Sequence, residues 1–166
     1  KMICMIRDLR SVFASMERIY RANRHTPEGP DNPSQMQNMT FDQRISHWSS
    51  TQPIGLALQR VIDCIQRKID NKILFVKYEN LCNHPQSTMN AIYEYLELPT
   101  FNHDFVGIKK SVYENSGYFG VFGQHDVKSR IQPIENKPWE PIVAPELSTA
   151  IVNGHRWFFD YFEYEV

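Results

Sequence analysis

The sequence predicts an α/β fold in which helices flank a parallel sheet. Two apolar runs, Met2 to Ile6 and Ile73 to about Tyr78, lack the alternation of a half-exposed strand, which is typical of strands buried on both faces of a parallel sheet. Stretches with helical spacing of apolar residues follow both runs. This order of strand, helix, long excursion, helix, strand and helix is typical of layered α/β proteins.

The first strand leads almost directly into a helix. Apolar residues recur at spacings of three and four after the strand and predict a helix from about Ser11 to Ala22. The segment from Asn23 to Asn38 is rich in proline, asparagine and other polar residues, which indicates a long loop. Long loops in compact domains are often lids or binding loops, and this segment is a candidate for such a role.

Further helices are predicted by their start signals. Thr40 can cap one helix, and a second follows Pro53 with a broad apolar face. Pro85 begins the helix after the second strand, and Pro99 closes it. The pattern is irregular from 102 to 141, and a final helix is predicted from about Ala144 to Phe162.

Length and charge limit the classes of protein. The 166 residues suit a single domain, 1–166, and a net charge of −1 provides no general attraction for nucleic acid. No apolar run approaches the roughly 18 residues of a membrane span, and no signal peptide is recognisable. We therefore expect no nucleic-acid partner, no membrane span and a cytoplasmic location.

Cysteine and histidine spacing predicts no metal site. The cysteines at positions 4, 64 and 82 form no CxxC pair, which favours free thiols over a disulfide or metal framework. The six histidines show no paired ligand spacing.

Arg7 is the main candidate for a functional residue. It ends the first strand, and ligands of parallel sheets gather at the carboxyl ends of the strands. Ser11 and Ser15 lie on the following helix, so the three residues could bind a phosphate. The alternative is structural, with Arg7 paired to Asp8 or to another acidic residue and Ser15 serving as a small packing residue.

Two separated segments carry a resemblance to a known family. "ICMIRDLRSVFASMERIYR" resembles the 3′-phosphate-binding segment of sulfotransferases that use 3′-phosphoadenosine 5′-phosphosulfate (PAPS). "ILFVKYENLCNHPQSTMNAIYEYLELP" is similar to a later segment of that family. "GQHDVKSRI" resembles, more weakly, the late basic segment of bacterial and tyrosylprotein-type members. The resemblance implies a P-loop-NTPase-like parallel sheet and sulfuryl transfer from PAPS to a hydroxyl or amine.

The resemblance also implies roles for individual residues. Arg7 and Ser15 would bind the 3′-phosphate of PAPS, or of the product adenosine 3′,5′-bisphosphate (PAP). Tyr78 would lie near the nucleotide, against adenine or holding the shape of the site; its alternative is an ordinary tyrosine at a strand end. Lys128 and Arg130 would supply positive charge, unless they belong to a solvated basic stretch.

One feature of the family has no counterpart. None of the seven glycines lies in a loop like the one that holds the 5′-phosphosulfate. We therefore expect residues 1–166 to be the C-terminal part of a sulfotransferase domain, partnered by an N-terminal half, and the catalytic base is not identified. An anchor on such an upstream part would place the protein in the Golgi lumen instead.

The acceptor would be a small molecule, a glycan or a peptide. The resemblance also implies that residues 23–52, where family members place segments that contact the acceptor, are the lid or substrate region. Two alternatives remain open: a kinase-like nucleotide-binding enzyme on the same sheet, and a non-catalytic module that binds nucleotide or protein.

Overall fold

The computed structural model of the protein describes residues 1–23, 36–109 and 129–166. These residues fall into two compact units. The first unit contains residues 1–7, 47–109 and 129–134, and the second contains residues 8–23, 36–46 and 135–166. Lys128 and residues 24–35 of the predicted lid region lie outside the described residues.

The helices and strands follow the predicted order, except that the short helix after the second strand was not predicted and the predicted final helix is divided in two. In chain order they are β1 (Met2–Ile6), α1 (Leu9–Asn23), α2 (Phe41–Ser50), α3 (Ile54–Gln66), a 3-10 turn (Asp70–Lys72), β2 (Ile73–Lys77), α4 (Tyr78–Asn83), α5 (Pro85–Leu96), α6 (Pro145–Gly154) and α7 (Arg156–Tyr161). The mixture of helices with a small parallel sheet confirms the α/β class.

The sheet of the first unit is formed by β1 and β2. The two strands are parallel, and their register places Met2 opposite Ile73 and Ile6 opposite Lys77. Both strands therefore end at the same edge of the sheet. This edge carries Arg7 and Tyr78, the residues that directly follow the two strands.

The prediction that β1 is buried on both faces was wrong for the described residues. Met2 is 59% exposed and Met5 is 48% exposed, whereas Ile6 is buried. Among the described residues β2 is the strand that pairs with β1, and side chains on a pleated strand are buried only where another layer covers that face.

Two helices follow β2 without a long connection. α4 begins at Tyr78, directly after the strand, and α5 begins at Pro85, where a proline costs no intrahelical hydrogen bond. Both helices pack on β2 and on each other. The cysteine Cys82 on α4 is buried in this packing.

Two helices of the first unit end with a residue in the left-handed conformation. After α3, Lys68 has φ 57°, Lys68 donates its N–H to the carbonyl of Ile65, and Ile69 donates to that of Cys64. Glu97 has φ 59° and occupies the equivalent position after α5. This arrangement satisfies carbonyls that the end of a helix leaves free, and glycine is the residue that usually occupies it.

The second unit is organised around α1. Asp8 caps the helix, because its Oδ1 accepts the N–H of Arg10 at 2.8 Å and its carbonyl accepts that of Val12 at 3.0 Å. This cap explains why the helix begins at Leu9, earlier than the predicted Ser11. α1 packs against α6, and Phe13 and Phe159 are completely buried in this unit.

The predicted final helix is two helices, α6 and α7. His155 separates them with φ −127° and ψ 30°, which is not helical. The ring of Phe158 then packs against Phe162 with a centroid distance of 4.8 Å and stacks with Tyr164 at 5.8 Å. Apolar periodicity continues across the break, so the sequence pattern did not reveal it.

Candidate functional site

The carboxyl end of the sheet brings Arg7 and Tyr78 together within the first unit. The Cζ atom of Arg7 lies 4.7 Å from the centroid of the Tyr78 ring. Such a distance is typical of a cation–π contact, in which the guanidinium group lies over the negative face of an aromatic ring. The parallel register of β1 and β2 produces this contact, because it places the two residues next to each other at the strand ends.

Arg7 carries an unpaired buried donor. Its side chain is half-buried, and its Nε is shielded from solvent and has no hydrogen-bond partner among the described residues. A buried donor without a partner costs about 1 to 3 kcal/mol. An anion that accepted hydrogen bonds from this guanidinium would remove that cost.

The acidic neighbour of Arg7 in the sequence has another partner. In the second unit, Asp8 forms an ion pair with Arg10, with 2.6 Å between Oδ2 and Nη2. The Cζ atom of Arg10 also lies 4.6 Å from the ring centroid of Trp139 and 5.1 Å from that of Phe159, and Nη2 donates to the carbonyl of Glu165 at 2.7 Å. Asp8 therefore caps α1 and holds Arg10, which is a structural role.

Tyr78 is held in its protonated form. A hydrogen bond with the side chain of Cys82 and partial burial both raise the pKa of the Tyr78 phenol, and the positive charge of Arg7 lowers it by a smaller amount. The net direction is upward. Tyr78 thus presents a neutral aromatic ring to Arg7 at neutral pH.

Ser15 and Arg130 are each described within the unit to which they belong. Ser15 belongs to α1 in the second unit, where it is half-buried, and Ser11 on the same helix is almost completely buried. Arg130 is exposed in the first unit. The backbone on either side of it is fixed, because Ser129 accepts the N–H of Ile108 and Ile131 donates to Phe105, each at 2.8 Å.

A buried ion-pair network in the second unit was not predicted. The side chain of Glu17 is completely buried on α1 and accepts hydrogen bonds from Arg44 at 2.6 and 2.8 Å and from Arg21 at 2.7 Å. Arg44 also lies over the ring of Tyr20 at 4.2 Å. The i, i+4 spacing of Glu17 and Arg21 could have suggested part of this network, but its link to Arg44 spans 27 positions.

A cavity of about 360 Å³ lies between β2 and the helices α4 and α5. Two of its polar groups are already used inside the protein. Ser87 donates its hydroxyl to the carbonyl of His84 at 3.1 Å, and Thr88 donates to that of Asn80 at 3.0 Å. Neither hydroxyl proton is therefore left for a ligand, and we assign no function to this cavity.

The described residues contain no cluster of histidine, cysteine, aspartate or glutamate that could hold a metal ion. Within the same part of the chain, no helix combines the length and the apolar character needed to cross a membrane.

The fold and the site define a protein of the α/β class with a cationic residue at the carboxyl ends of two parallel strands. Residues 1–103 match the family model described as "Sulfotransferase family". This match covers more than half of the 166 residues, and the chain therefore belongs to the sulfotransferase family. No curated protein and no solved structure matched in the corresponding comparisons.

The matched range includes most of the candidate residues. Arg7, Ser15 and Tyr78 fall inside it, whereas Lys128 and Arg130 lie beyond its end. The family match thus covers both strand ends of the site.

Proposed function

We propose that this sulfotransferase takes its sulfuryl group from PAPS, and that Arg7 binds the 3′-phosphate of the donor. The observation that carries the proposal is the guanidinium of Arg7, which lies at the carboxyl end of β1 with a buried Nε that has no partner in the described part of the chain. A phosphate dianion fits this group, because guanidinium donors match phosphate oxygens in a bidentate geometry. The sheet itself would be of the P-loop-NTPase-like kind.

The chemistry assigns Arg7 a binding role. Sulfuryl transfer resembles phosphoryl transfer, in which catalysis depends mainly on positioning and on stabilisation of charge. The donor PAPS supplies the sulfuryl group and leaves as PAP. A residue that grips the 3′-phosphate orients the donor and distinguishes it from nucleotides without that group, but it does not take the proton of the acceptor.

Other residues are assigned by their resemblance to the family. Ser15 would be a second ligand of the 3′-phosphate, and Lys128 and Arg130 would add positive charge near the nucleotide. Tyr78 would lie beside the nucleotide and support Arg7. The acceptor would be a hydroxyl or amine of a small molecule, glycan or peptide. The base that takes the acceptor's proton would be a residue other than the five candidates.

The wider context belongs to the same proposal. Residues 1–166 would form the C-terminal part of a sulfotransferase domain, with residues 23–52 as its lid or substrate region. An N-terminal half would provide the phosphosulfate loop, and we propose a cytoplasmic location.

Calorimetric titration with PAP and, in parallel, with AMP tests the proposal. The two ligands share adenosine and the 5′-phosphate and differ in the 3′-phosphate. We expect clear preference for PAP. Equal affinity for the two would favour a kinase-like nucleotide site, and binding of neither by a folded sample would contradict the proposed site on this chain.

A further inference from the structure

Residues 129–134, the segment that carries Arg130, are attached at two places within the first unit. At one end the segment pairs with residues 105–108 through two backbone hydrogen bonds of 2.8 Å. At the other end Ile134 donates its N–H to Oδ1 of Asn83 at 2.9 Å. The second attachment joins the segment to α4, the helix that begins at the sheet edge of the candidate site.

The attachment to α4 limits where Arg130 can lie. Asn83 is the last residue of this helix and Tyr78 is the first. Because a helix rises about 1.5 Å per residue, Asn83 lies about 8 Å along the axis from Tyr78. The chain from Ile134 back to Arg130 spans at most about 14 Å even when it is fully extended. The hydrogen bond at Asn83 therefore restricts the distance of Arg130 from the sheet edge that carries Tyr78.

The hydrogen bond of Asn83 lies at the protein surface. The side chains of Asn83 and Arg130 are both exposed, so neither fills space in a core. One hydrogen bond of this kind changes the population of an attached segment by a factor of roughly 2 to 10. Loss of the Asn83 side chain should thus free this end of the segment without disturbing the packing of the unit.

We propose that Asn83 is a positioning residue of the nucleotide site, which holds residues 129–134 against α4 and so keeps the charge of Arg130 near the phosphates of the donor. This inference rests on the proposed function, in which Arg130 adds positive charge near the nucleotide. It extends that function, because it makes part of the affinity for PAP depend on an uncharged side chain outside the five candidates.

Calorimetric titration of Asn83→Ala with PAP tests the inference. The substitution removes the acceptor of the Ile134 N–H, so the affinity for PAP should fall about two- to fivefold, the effect expected for one exposed charge. Arg130→Ala should weaken PAP binding by at least as much. Asn90→Ala on α5 is the matched control, because it removes an exposed asparagine whose hydrogen bond of 2.9 Å with Gln86 lies within that helix. The control should bind PAP as the unsubstituted protein does.

A double-mutant cycle separates this role from a general effect on the fold. If Asn83 acts through Arg130, Asn83→Ala should cause no further loss of PAP affinity in the Arg130→Ala background. A loss that persists in that background would show that Asn83 acts through the fold, and it would overturn the inference. Thermal unfolding of each variant reports any accompanying change in stability.

The dependence on salt provides an independent readout. Exposed charges are screened over about 10 Å at about 0.1 M salt and over about 3 Å at about 1 M salt. The difference in PAP affinity between the unsubstituted protein and Asn83→Ala should therefore shrink towards zero at the higher concentration. A difference of the same size at both concentrations would contradict a role that depends on the charge of Arg130.

The outcomes for the two proposals are distinct. A loss of PAP affinity in Asn83→Ala that disappears in the Arg130→Ala background supports the inference. An unchanged PAP affinity in Asn83→Ala overturns the inference, while preference of the unsubstituted protein for PAP over AMP still supports the proposed function. Absence of that preference overturns the proposed function and the inference with it.

Discussion

Replacement of Arg7 by alanine is the sharpest test of the candidate site. The guanidinium lies over Tyr78, and its Nε is shielded from solvent without a partner among the described residues. Removing one member of a charged hydrogen-bonding pair from such a buried place typically costs about 2 to 4 kcal/mol of binding free energy. Arg7→Ala should therefore weaken PAP binding by about 30- to 900-fold.

The assay is calorimetric titration of each variant with PAP and with AMP. AMP lacks the 3′-phosphate, so its affinity should change little. Arg67→Ala, directly after α3, is the matched control, because it removes an exposed arginine whose ion pair with Asp63 is solvated. Arg7→Lys keeps the charge but lacks the planar donors, and we expect an affinity for PAP between those of Arg7→Ala and the unsubstituted protein.

Two results would refute this reasoning. Equal losses for PAP and AMP would mean that Arg7 acts on the shared part of the nucleotide or on the fold. No loss for either ligand would mean that the unpaired donor of Arg7 does not face the nucleotide. Circular dichroism of Arg7→Ala checks that the variant is folded.

Three further predictions concern stability and can be measured by denaturant unfolding. Glu17→Gln should lower the free energy of unfolding by about 3 to 5 kcal/mol, because it leaves the buried Arg44 without its charge partner. Arg21→Ala should lower it by less than about 1 kcal/mol, since Arg21 is exposed. A Glu17→Gln protein as stable as Arg21→Ala would contradict this. Lys68→Gly should raise the free energy of unfolding by about 0.5 to 1 kcal/mol, because Lys68 has φ 57°. The control Arg60→Gly, inside α3, should lower it by about 1 kcal/mol. A decrease in the free energy of unfolding in both variants would argue against the left-handed helix end. Burial lowers the pKa of His155 below 6.5, so the unfolded chain takes up a proton before the folded protein does as the pH falls. The free energy of unfolding should therefore decrease below about pH 6.5 and level off once the pKa of the folded state is passed. An unchanged dependence of the free energy of unfolding on pH in His155→Gln would contradict this assignment.

The sequence alone was sufficient for most of the order of elements and for the position of Arg7 and Tyr78 at the carboxyl ends of the two strands. Apolar runs identified both strands, and the charged or polar residue at the end of each strand marked the edge where parallel strands terminate. Proline at position 85 identified the start of α5, because proline is common at the first position of a helix. These features are local, because strand and helix periodicity is set by neighbouring residues, and the family resemblance at both strand ends agrees with the match over residues 1–103.

The contacts of the site depended on the tertiary structure. Asp8 and Arg7 are adjacent in the sequence, yet Asp8 binds Arg10, and Arg7 lies over Tyr78, which is 71 positions away. Only the register between β1 and β2 determines that Arg7 and Tyr78 are neighbours. The roles at the nucleotide of all five candidates stay predictions: Arg7, Ser15, Tyr78, Lys128 and Arg130.

Tertiary structure also decided which charges are buried. From its position on an amphipathic helix, Glu17 could be a solvated residue, but its side chain is completely buried. The cost of burying this carboxylate is offset by the charge of Arg44, which lies far along the chain. The exposure of Met2 and Met5 likewise depends on what packs against each residue. Periodicity reports which residues can share a face, whereas burial and pairing depend on what covers that face, and distant parts of the chain provide that cover.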